Sequence, residues 1–146
     1  MKTTLWLTTW MSLLLALSAS ILHSVTYVNI NANLQGSGPV AWGDYDNDGD
    51  LDVIRLPYLY RNDGNDLFTQ TSISLPDGSA VDWGDYNNDG NLDILINGSS
   101  PGIFRNNGDG TFTDINAGIA VSGATGYAVG WGDYDNDGDL DIHIGG

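Results

Sequence analysis

The chain contains 146 residues, and its 19 acidic residues outnumber the 4 basic ones to give a formal net charge of -15 at pH 7. All of the acidic residues are Asp. This charge excludes nucleic acids and anionic membranes as expected partners, because both attract basic protein surfaces, and it favours a cation. A hydrophobic content of 41% with five Trp is too high for a disordered chain. The excess of Asp, Asn and Gly predicts strands joined by tight turns instead of helices.

The first twenty residues have the pattern of a secretory signal peptide. A basic start at Lys2 precedes an apolar run over residues 5–17 and three small residues, so residues 1–20 are predicted to be a cleaved leader. A signal anchor is the alternative, because the apolar stretch reaches about 18 residues if Ile21 and Leu22 are included. Both interpretations predict a secreted or cell-surface protein. In that oxidising compartment, a chain without Cys needs some other means of holding its loops.

The remaining chain, residues 21–146, is organised around a repeat. A Trp-Gly-Asp-Tyr segment begins at Trp42, Trp83 and Trp131, with spacings of 41 and 48 residues. An Arg-Asn-x-Gly turn follows the first two copies, at Arg61 and Arg105, and a Phe stands seven positions after each Arg. Four short strands per unit, at a period of about 40–48 residues, are typical of β-propeller blades.

The predicted strands divide into repeat units along the chain. Residues 27–34 resemble residues 112–119, and residues 26–35 are predicted to form the outer strand of a preceding or closing blade. Units are predicted near residues 38–75, 79–119 and 126–146, which gives an all-β protein with two whole propeller blades, two partial ones and an incomplete ring. This favours a fragment of a longer protein over a chain that completes its ring with other chains. In the whole units, the predicted strands are 39–44, 51–56, 58–60 and 67–73, and then 80–85, 92–96, 103–104 and 111–115.

Each unit contains an acidic loop with oxygen-bearing side chains at positions 1, 3, 5 and 9 and Gly at position 6. Ca²⁺ takes about 6–8 oxygen ligands, and Gly at position 6 allows the sharp turn that points alternate side chains and one backbone carbonyl inward. The spacing predicts a calcium site in each loop, while Mg²⁺ is less favoured because it keeps its waters. Solvated Asx-turns are the alternative. In each loop, the predicted ligands are the side chains of positions 1, 3, 5 and 9 and the backbone carbonyl of position 7. In that order they are Asp44, Asp46, Asp48, Asp52 and Asp50; Asp85, Asn87, Asp89, Asp93 and Asn91; and Asp133, Asp135, Asp137, Asp141 and Asp139.

Position 12 separates these loops from helical calcium-binding motifs. An EF-hand has a bidentate Glu there, whereas this chain has Arg55, Ile96 and Ile144. The repeated W-G-D-Y-x-N-D-G-x-L-D, followed by R-N-x-G and Phe, resembles the FG-GAP/VCBS-type repeat of integrin alpha subunits and many secreted microbial proteins. The resemblance covers roughly residues 27–146. It implies a calcium-bearing β-propeller used in adhesion, in recognition or as a scaffold beside other domains.

The favoured function is a secreted calcium-binding module that binds an extracellular protein or carbohydrate, or serves as a scaffold, without catalysis. The alternatives are the N-terminal propeller part of a secreted polysaccharide-active enzyme and a calcium-dependent self-assembling surface protein. No catalytic residue is predicted, since the chain has no Cys and no Ser with a plausible His partner. Trp42, Trp83 and Trp131 are expected to pack in the core instead of stacking on sugars. Asn97 begins a glycosylation pattern that has meaning only in a eukaryotic secretory pathway.

Overall fold

A computed structural model of the chain describes residues 29–119 and 128–145. Every regular element in these residues is a β-strand, and no helix that could span a membrane is found among them. The predicted leader, residues 1–20, lies outside the described residues. The strands are β1 (Val40–Gly43), β2 (Asp52–Arg55), β3 (Tyr58–Asn62), β4 (Phe68–Ser74), β5 (Ala80–Gly84), β6 (Asp93–Asn97), β7 (Gly102–Asn106), β8 (Phe112–Asp114), β9 (Val129–Gly132) and β10 (Asp141–Ile144).

The strands form three antiparallel sheets in which neighbours in sequence are neighbours in space. β1 to β4 form the first sheet, β5 to β8 form the second, and β9 pairs with β10 in the third. The sheets share one register, because the Trp of each first strand lies opposite Val53, Ile94 or Ile142, each eleven positions later. β1 packs against β5 and β5 against β9, so the first strands lie side by side. The predicted all-β propeller-blade fold is therefore confirmed, and the sheets are called the first, second and third blade below.

The hydrophobic core lies between the first and second blades and is built largely from their second strands. β2 and β6 are buried almost throughout, as expected of strands that are covered on both faces. β10 stays largely exposed, because no third strand pairs with it among the residues that the structure describes. The buried core residues are Tyr45, Ile54, Leu56, Leu59, Leu75, Ile94 and Ile96.

The outer strand predicted at residues 26–35 is absent from the part of that segment that the structure describes. Asn31 and Asn33 both have a φ of 51°. This left-handed conformation interrupts a strand, and Asn tolerates it better than most residues do. The segment is attached to the first blade by a hydrogen bond of 2.8 Å, which the Gln35 N–H donates to the Tyr60 Oη.

The exposure of Trp42 differs from the sequence-based prediction, and the burial of Asn97 bears on its glycosylation pattern. Trp83 packs against the core as expected, but Trp42 is 55% exposed. The ring of Phe68 lies beside Trp42, with 6.0 Å between ring centres, and no blade within the described residues covers its other side. Asn97 is fully buried, which excludes a glycan on this residue in the folded blade.

Candidate metal centre

Each acidic loop joins the first strand of a blade to its second strand. The loops span residues 44–52, 85–93 and 133–141 and share one backbone shape. Position 4 is an Asn in the left-handed conformation, with φ of 60°, 56° and 60°, and position 6 is a Gly with φ of 95°, 88° and 96°. Asn and Gly tolerate positive φ better than other residues, so the sequence Asn-Asp-Gly favours this turn.

The carboxylate of position 1 organises each loop from within. In the first loop, the Asp44 carboxylate accepts the N–H of Asp48 at 3.1 Å and the N–H of Gly49 at 3.0 Å. Asp85 and Asp133 accept the equivalent pair of hydrogen bonds in their own loops. A carboxylate offers about four lone-pair positions, so about two remain for a cation. Position 1 therefore holds the loop in shape and keeps the capacity to act as a ligand.

Positions 5 and 7 are linked in the same way in all three loops. The Asp48 Oδ1 accepts the Asp50 N–H at 2.9 Å. Asp89 and Asp137 accept the N–H of their own position 7 at 2.9 Å and 3.0 Å. These hydrogen bonds fix the backbone of position 7, whose carbonyl is a predicted ligand. The residues at this position are Asp50, Asn91 and Asp139.

Carboxylates converge in the first and third loops. Burial and the negative charge of Asp48 raise the pKa of Asp46 above its ordinary value. Hard oxygen donors in such a group suit a divalent cation, and a cation between them would offset their mutual repulsion. The oxygens of each group lie within 4.8 Å of one another, and the groups are Asp44, Asp46 and Asp48 in the first loop and Asp133, Asp135 and Asp141 in the third.

Position 9 has a bracing role that the sequence did not reveal. Asp52 is fully buried, and its carboxylate accepts the N–H of Tyr45 at 3.0 Å and the N–H of Asn62 at 2.8 Å. Burial raises the pKa of Asp52 to about 6, although both hydrogen bonds act in the opposite direction. Asp93 is buried and bonded in the same way, and burial raises its pKa as well. A ligand role for these two carboxylates stays a prediction, whereas Asp141 is exposed and belongs to the third-loop group.

The second loop carries fewer carboxylates, because Asn stands at positions 3 and 7. The Asn87 Nδ2 donates to the Asp89 Oδ2 at 2.9 Å, and the Asn91 Nδ2 donates to the Asp89 Oδ1 at 2.8 Å. The backbone N–H of Asn91, followed by these two amides, lowers the pKa of Asp89. We therefore expect this loop to attract a cation less strongly than the first loop does.

Neighbouring loops contact each other through position 4. The Asn47 Nδ2 donates to the Gly90 carbonyl and to the Asn91 Oδ1 of the second loop, both at 3.3 Å. The Asn88 Nδ2 donates to the Asp139 Oδ1 of the third loop at 3.5 Å. The three loops therefore form a row along one edge of the blades. Sequence reasoning gave position 4 no role, although the Asn present in every loop was an available signal.

The family model of the FG-GAP-like repeat matches residues 56–96 and 94–144. The chain belongs to the FG-GAP-like repeat family. Each match runs from one blade through the acidic loop and the second strand of the next, so the FG-GAP-like repeat includes the junction between blades. No curated protein and no solved structure matches the chain.

At this junction, the Asn of the Arg-Asn-x-Gly motif joins consecutive FG-GAP-like repeats. Asn106 is buried, and its Nδ2 donates to the Tyr45 carbonyl of the first blade at 2.8 Å and to the Leu92 carbonyl at 3.3 Å. Asn62 is the equivalent residue of the first blade and donates to the Leu51 carbonyl at 3.1 Å. The sequence indicated only a turn at this motif, because the partner of Asn106 lies 61 residues away.

Proposed function

We propose that this FG-GAP-like repeat chain is a calcium-binding module of an extracellular protein, serving adhesion, ligand recognition or scaffolding without catalysis. The main support for calcium is the group of three carboxylates in the first loop, whose oxygens lie within 4.8 Å of one another. Within residues 29–119 and 128–145, the sole ion pair joins Arg61 to Asp63, on a hairpin outside the acidic loops. No basic side chain in this part of the chain pairs with the carboxylate group, so a divalent cation would supply the positive charge.

The calcium would have a structural role in the first and third loops. Bound there, it would neutralise the carboxylates and would cross-link positions 1, 3 and 5 of the first loop and positions 1, 3 and 9 of the third. These cross-links would take the place of disulfides in a chain that has no Cys. Calcium fits the loops better than magnesium does, because several protein oxygens are available and magnesium prefers to retain water. Since Asn47 and Asn88 connect each loop to the next, an ion in one loop also supports its neighbour.

The extracellular assignment rests on the family and on the predicted leader. FG-GAP-like repeats are typical of extracellular proteins. Extracellular calcium modules bind with a Kd on the order of 10⁻⁴ to 10⁻³ M, which matches the calcium concentration outside cells. The ligand we expect is an extracellular protein or a carbohydrate that contacts the blades once calcium has ordered the loops.

Thermal unfolding in calcium, in magnesium and in chelator tests the calcium proposal. We expect calcium at about 100 times its Kd to stabilise the protein by about 2.7 kcal/mol per site. In a domain of this size, this corresponds to an increase of several degrees in the unfolding temperature. Magnesium at the same concentration should give a smaller increase, because it leaves more of the loop oxygens unused.

Sodium chloride at matched ionic strength is the control for this experiment. Salt screens the repulsion between exposed carboxylates and therefore stabilises an acidic protein without occupying a site. An unfolding temperature that rises equally in calcium and in sodium chloride, or does not rise at all, would contradict calcium binding.

A further inference from the structure

The two junctions between consecutive blades have the same geometry. The Trp83 indole stacks on Tyr45 of the preceding blade, with 6.3 Å between ring centres and 8° between the ring planes. The Trp131 indole stacks on Tyr86 in the same way, at 6.1 Å and 10°. Side chains at equivalent positions of the two junctions can therefore be compared directly.

At each junction, the side chain at position 7 of one acidic loop faces the loop of the preceding blade. In the first junction, the Asn91 Oδ1 accepts the Asn47 Nδ2 at 3.3 Å. In the second junction, the Asp139 Oδ1 accepts the Asn88 Nδ2 at 3.5 Å. The backbone carbonyl of position 7 is thus a predicted ligand of its own loop, whereas the side chain of position 7 contacts the loop before it.

A polar cavity connects this side chain with the carboxylate group of the preceding loop. The cavity has a volume of about 110 Å³, lies between the first loop and the second blade, and is lined by Asp46, Asn47 and Asn91 among others. It has room for a few water molecules. Asp46 belongs to the carboxylate group of the first loop, and calcium often keeps water among its ligands. The Asn91 side chain would therefore lie in the outer layer of a cation site in the first loop.

Asp and Asn exchange places between the two junctions. In the first junction, position 3 of the loop is Asp46 and position 7 of the following loop is Asn91. In the second junction, the same two positions hold Asn87 and Asp139. Each junction therefore has one carboxylate at this pair of positions. The second loop, which lacks a carboxylate at position 3, faces the carboxylate of the third blade.

The Asp139 carboxylate is less suited to its own loop. In the second loop, the Asn91 Nδ2 donates to the Asp89 Oδ1 of the same loop at 2.8 Å. A carboxylate has no N–H to donate, and the negative charge of Asp137 disfavours the equivalent contact in the third loop. Within the part of the chain that the structure describes, the side chain that donates to the Asp139 carboxylate is Asn88 of the second loop.

We propose that the Asp139 carboxylate of the third blade is part of the calcium site of the second loop, where it replaces the carboxylate that Asn87 does not supply. This inference rests on the proposed function, since the ion is the calcium proposed there. Asp139 adds negative charge to the site and an acceptor for water bound to the ion. It recovers part of the affinity that the second loop lacks with only its own three carboxylates, which belong to Asp85, Asp89 and Asp93.

The substitution Asp139→Asn in three backgrounds tests which loop this carboxylate serves. It removes the charge and keeps a side-chain oxygen that can accept the Asn88 amide, as happens in the first junction. The backgrounds are the wild type, Asn87→Lys and Asp135→Lys. Each Lys places an ammonium group at position 3, where it competes with the cation of the second or the third loop, and both positions are exposed. Urea unfolding of the full chain in chelator and in calcium measures the calcium-induced gain in the free energy of unfolding.

We expect Asp139→Asn to weaken calcium binding by the second loop about fivefold, which lowers the calcium-induced gain by about 1 kcal/mol. This is the effect of one solvent-screened unit charge just outside the first shell of a divalent ion. The loss should persist in the Asp135→Lys background. In the Asn87→Lys background it should fall to less than about twofold, because the second loop no longer binds calcium there.

Asp77→Asn is the control for the overall charge of the protein. Asp77 is exposed and lies beside Gly98, which follows the end of β6 that is remote from the acidic loop. Its substitution removes the same charge as Asp139→Asn does, and its calcium-induced gain should equal that of the wild type.

Two results would overturn the inference and leave the proposed function standing. One is a calcium-induced gain in Asp139→Asn that equals the gain of the wild type. The other is a loss that persists in the Asn87→Lys background and disappears in the Asp135→Lys background, because the carboxylate would then serve the third loop. A wild type that gains no stability in calcium would contradict the proposed function and overturn this inference with it.

Discussion

Replacing Asp46 by Asn gives the first acidic loop the residue that the second loop has at position 3, where Asn87 stands. The substitution removes one charge from a group of three carboxylates and leaves the backbone turn intact. We expect it to stabilise the calcium-free protein and to reduce the stabilisation that calcium provides. The calcium-free effect follows from the repulsion between the carboxylates, whereas the smaller gain from calcium follows only if Asp46 helps to bind the cation.

The amount by which Asp46→Asn stabilises the calcium-free protein follows from the geometry of the carboxylate group. Its oxygens lie within 4.8 Å of one another, and two unit charges at about that separation repel by about 0.9 kcal/mol in water. Asp46 takes part in two of the three pairs, so a neutral Asn removes about 1–2 kcal/mol of repulsion. The raised pKa of Asp46, caused by burial and by Asp48, agrees with this direction.

Calcium should reduce the advantage of the variant. A site with a Kd of about 10⁻⁴ M stabilises the wild type by about 2.7 kcal/mol at about 10 mM calcium. An Asn offers one oxygen and no charge in place of a carboxylate. If this weakens binding about tenfold, the stabilisation by calcium falls to about 1.4 kcal/mol. The first loop's contribution to the calcium-induced gain should therefore fall by about half, so the gain of the whole protein should be about 1.3 kcal/mol smaller in Asp46→Asn than in the wild type.

Urea unfolding with and without calcium measures both effects, and Asp50→Asn is the matched control. This control removes one charge from the same loop but keeps every predicted side-chain ligand, and the second loop already has Asn91 at this position. Its calcium-induced gain should stay within about 0.5 kcal/mol of the wild type. The reasoning is refuted if Asp46→Asn loses stability without calcium, or if both variants lose the same share of the calcium-induced gain.

Three further predictions concern stability and are measured by urea unfolding in chelator. Gly43→Ala should lower the free energy of unfolding by about 1–3 kcal/mol, because the added Cβ meets the indole of the next blade. Gly132→Ala should change it by less than about 0.5 kcal/mol, and equal effects of the two substitutions would contradict the packing between blades. Asn106→Leu should lower the free energy of unfolding by about 1–3 kcal/mol, because it leaves two carbonyls without their donor. Asn62→Leu should lower it less, because the carbonyl that Asn62 binds is more exposed. The reverse order would argue against the hydrogen bond between the blades. Asp52→Asn should lower the free energy of unfolding by about 1–3 kcal/mol, because the two N–H groups lie on different carboxylate oxygens and the NH₂ group of Asn would face one of them; an unchanged stability would remove the bracing role.

Much of the fold could be read from the repeat, because the local signals agree with one another. The Trp-Gly-Asp-Tyr segments place a strand before each acidic loop, and the observed β5, Ala80–Gly84, differs by one residue from the predicted 80–85. No strand forms over residues 29–35, the described part of the segment predicted to be an outer strand. Asn31 and Asn33 adopt positive φ, and the hydrophobic pattern of a segment does not show which of its Asn residues will do so.

The side-chain roles that the sequence did not reveal depend on residues distant in the chain. Asp52 looks like another loop ligand until the N–H of Asn62, ten residues later, is found on its carboxylate. Trp42 and Trp83 occupy the same position of the repeat, yet only Trp83 has the Tyr of a preceding blade beneath it. A repeat unit read on its own contains only its own side of each contact with a neighbouring unit, which is why these roles needed the structure.

Equilibrium dialysis of the full chain against millimolar calcium, followed by elemental analysis of the protein, tests calcium binding most directly. We expect bound calcium on every chain, up to one ion for each of the three loops. The Asp46→Asn variant should retain less calcium than the wild type, and Asp50→Asn should retain the same amount. A wild-type chain that holds no calcium after dialysis would contradict the proposed function.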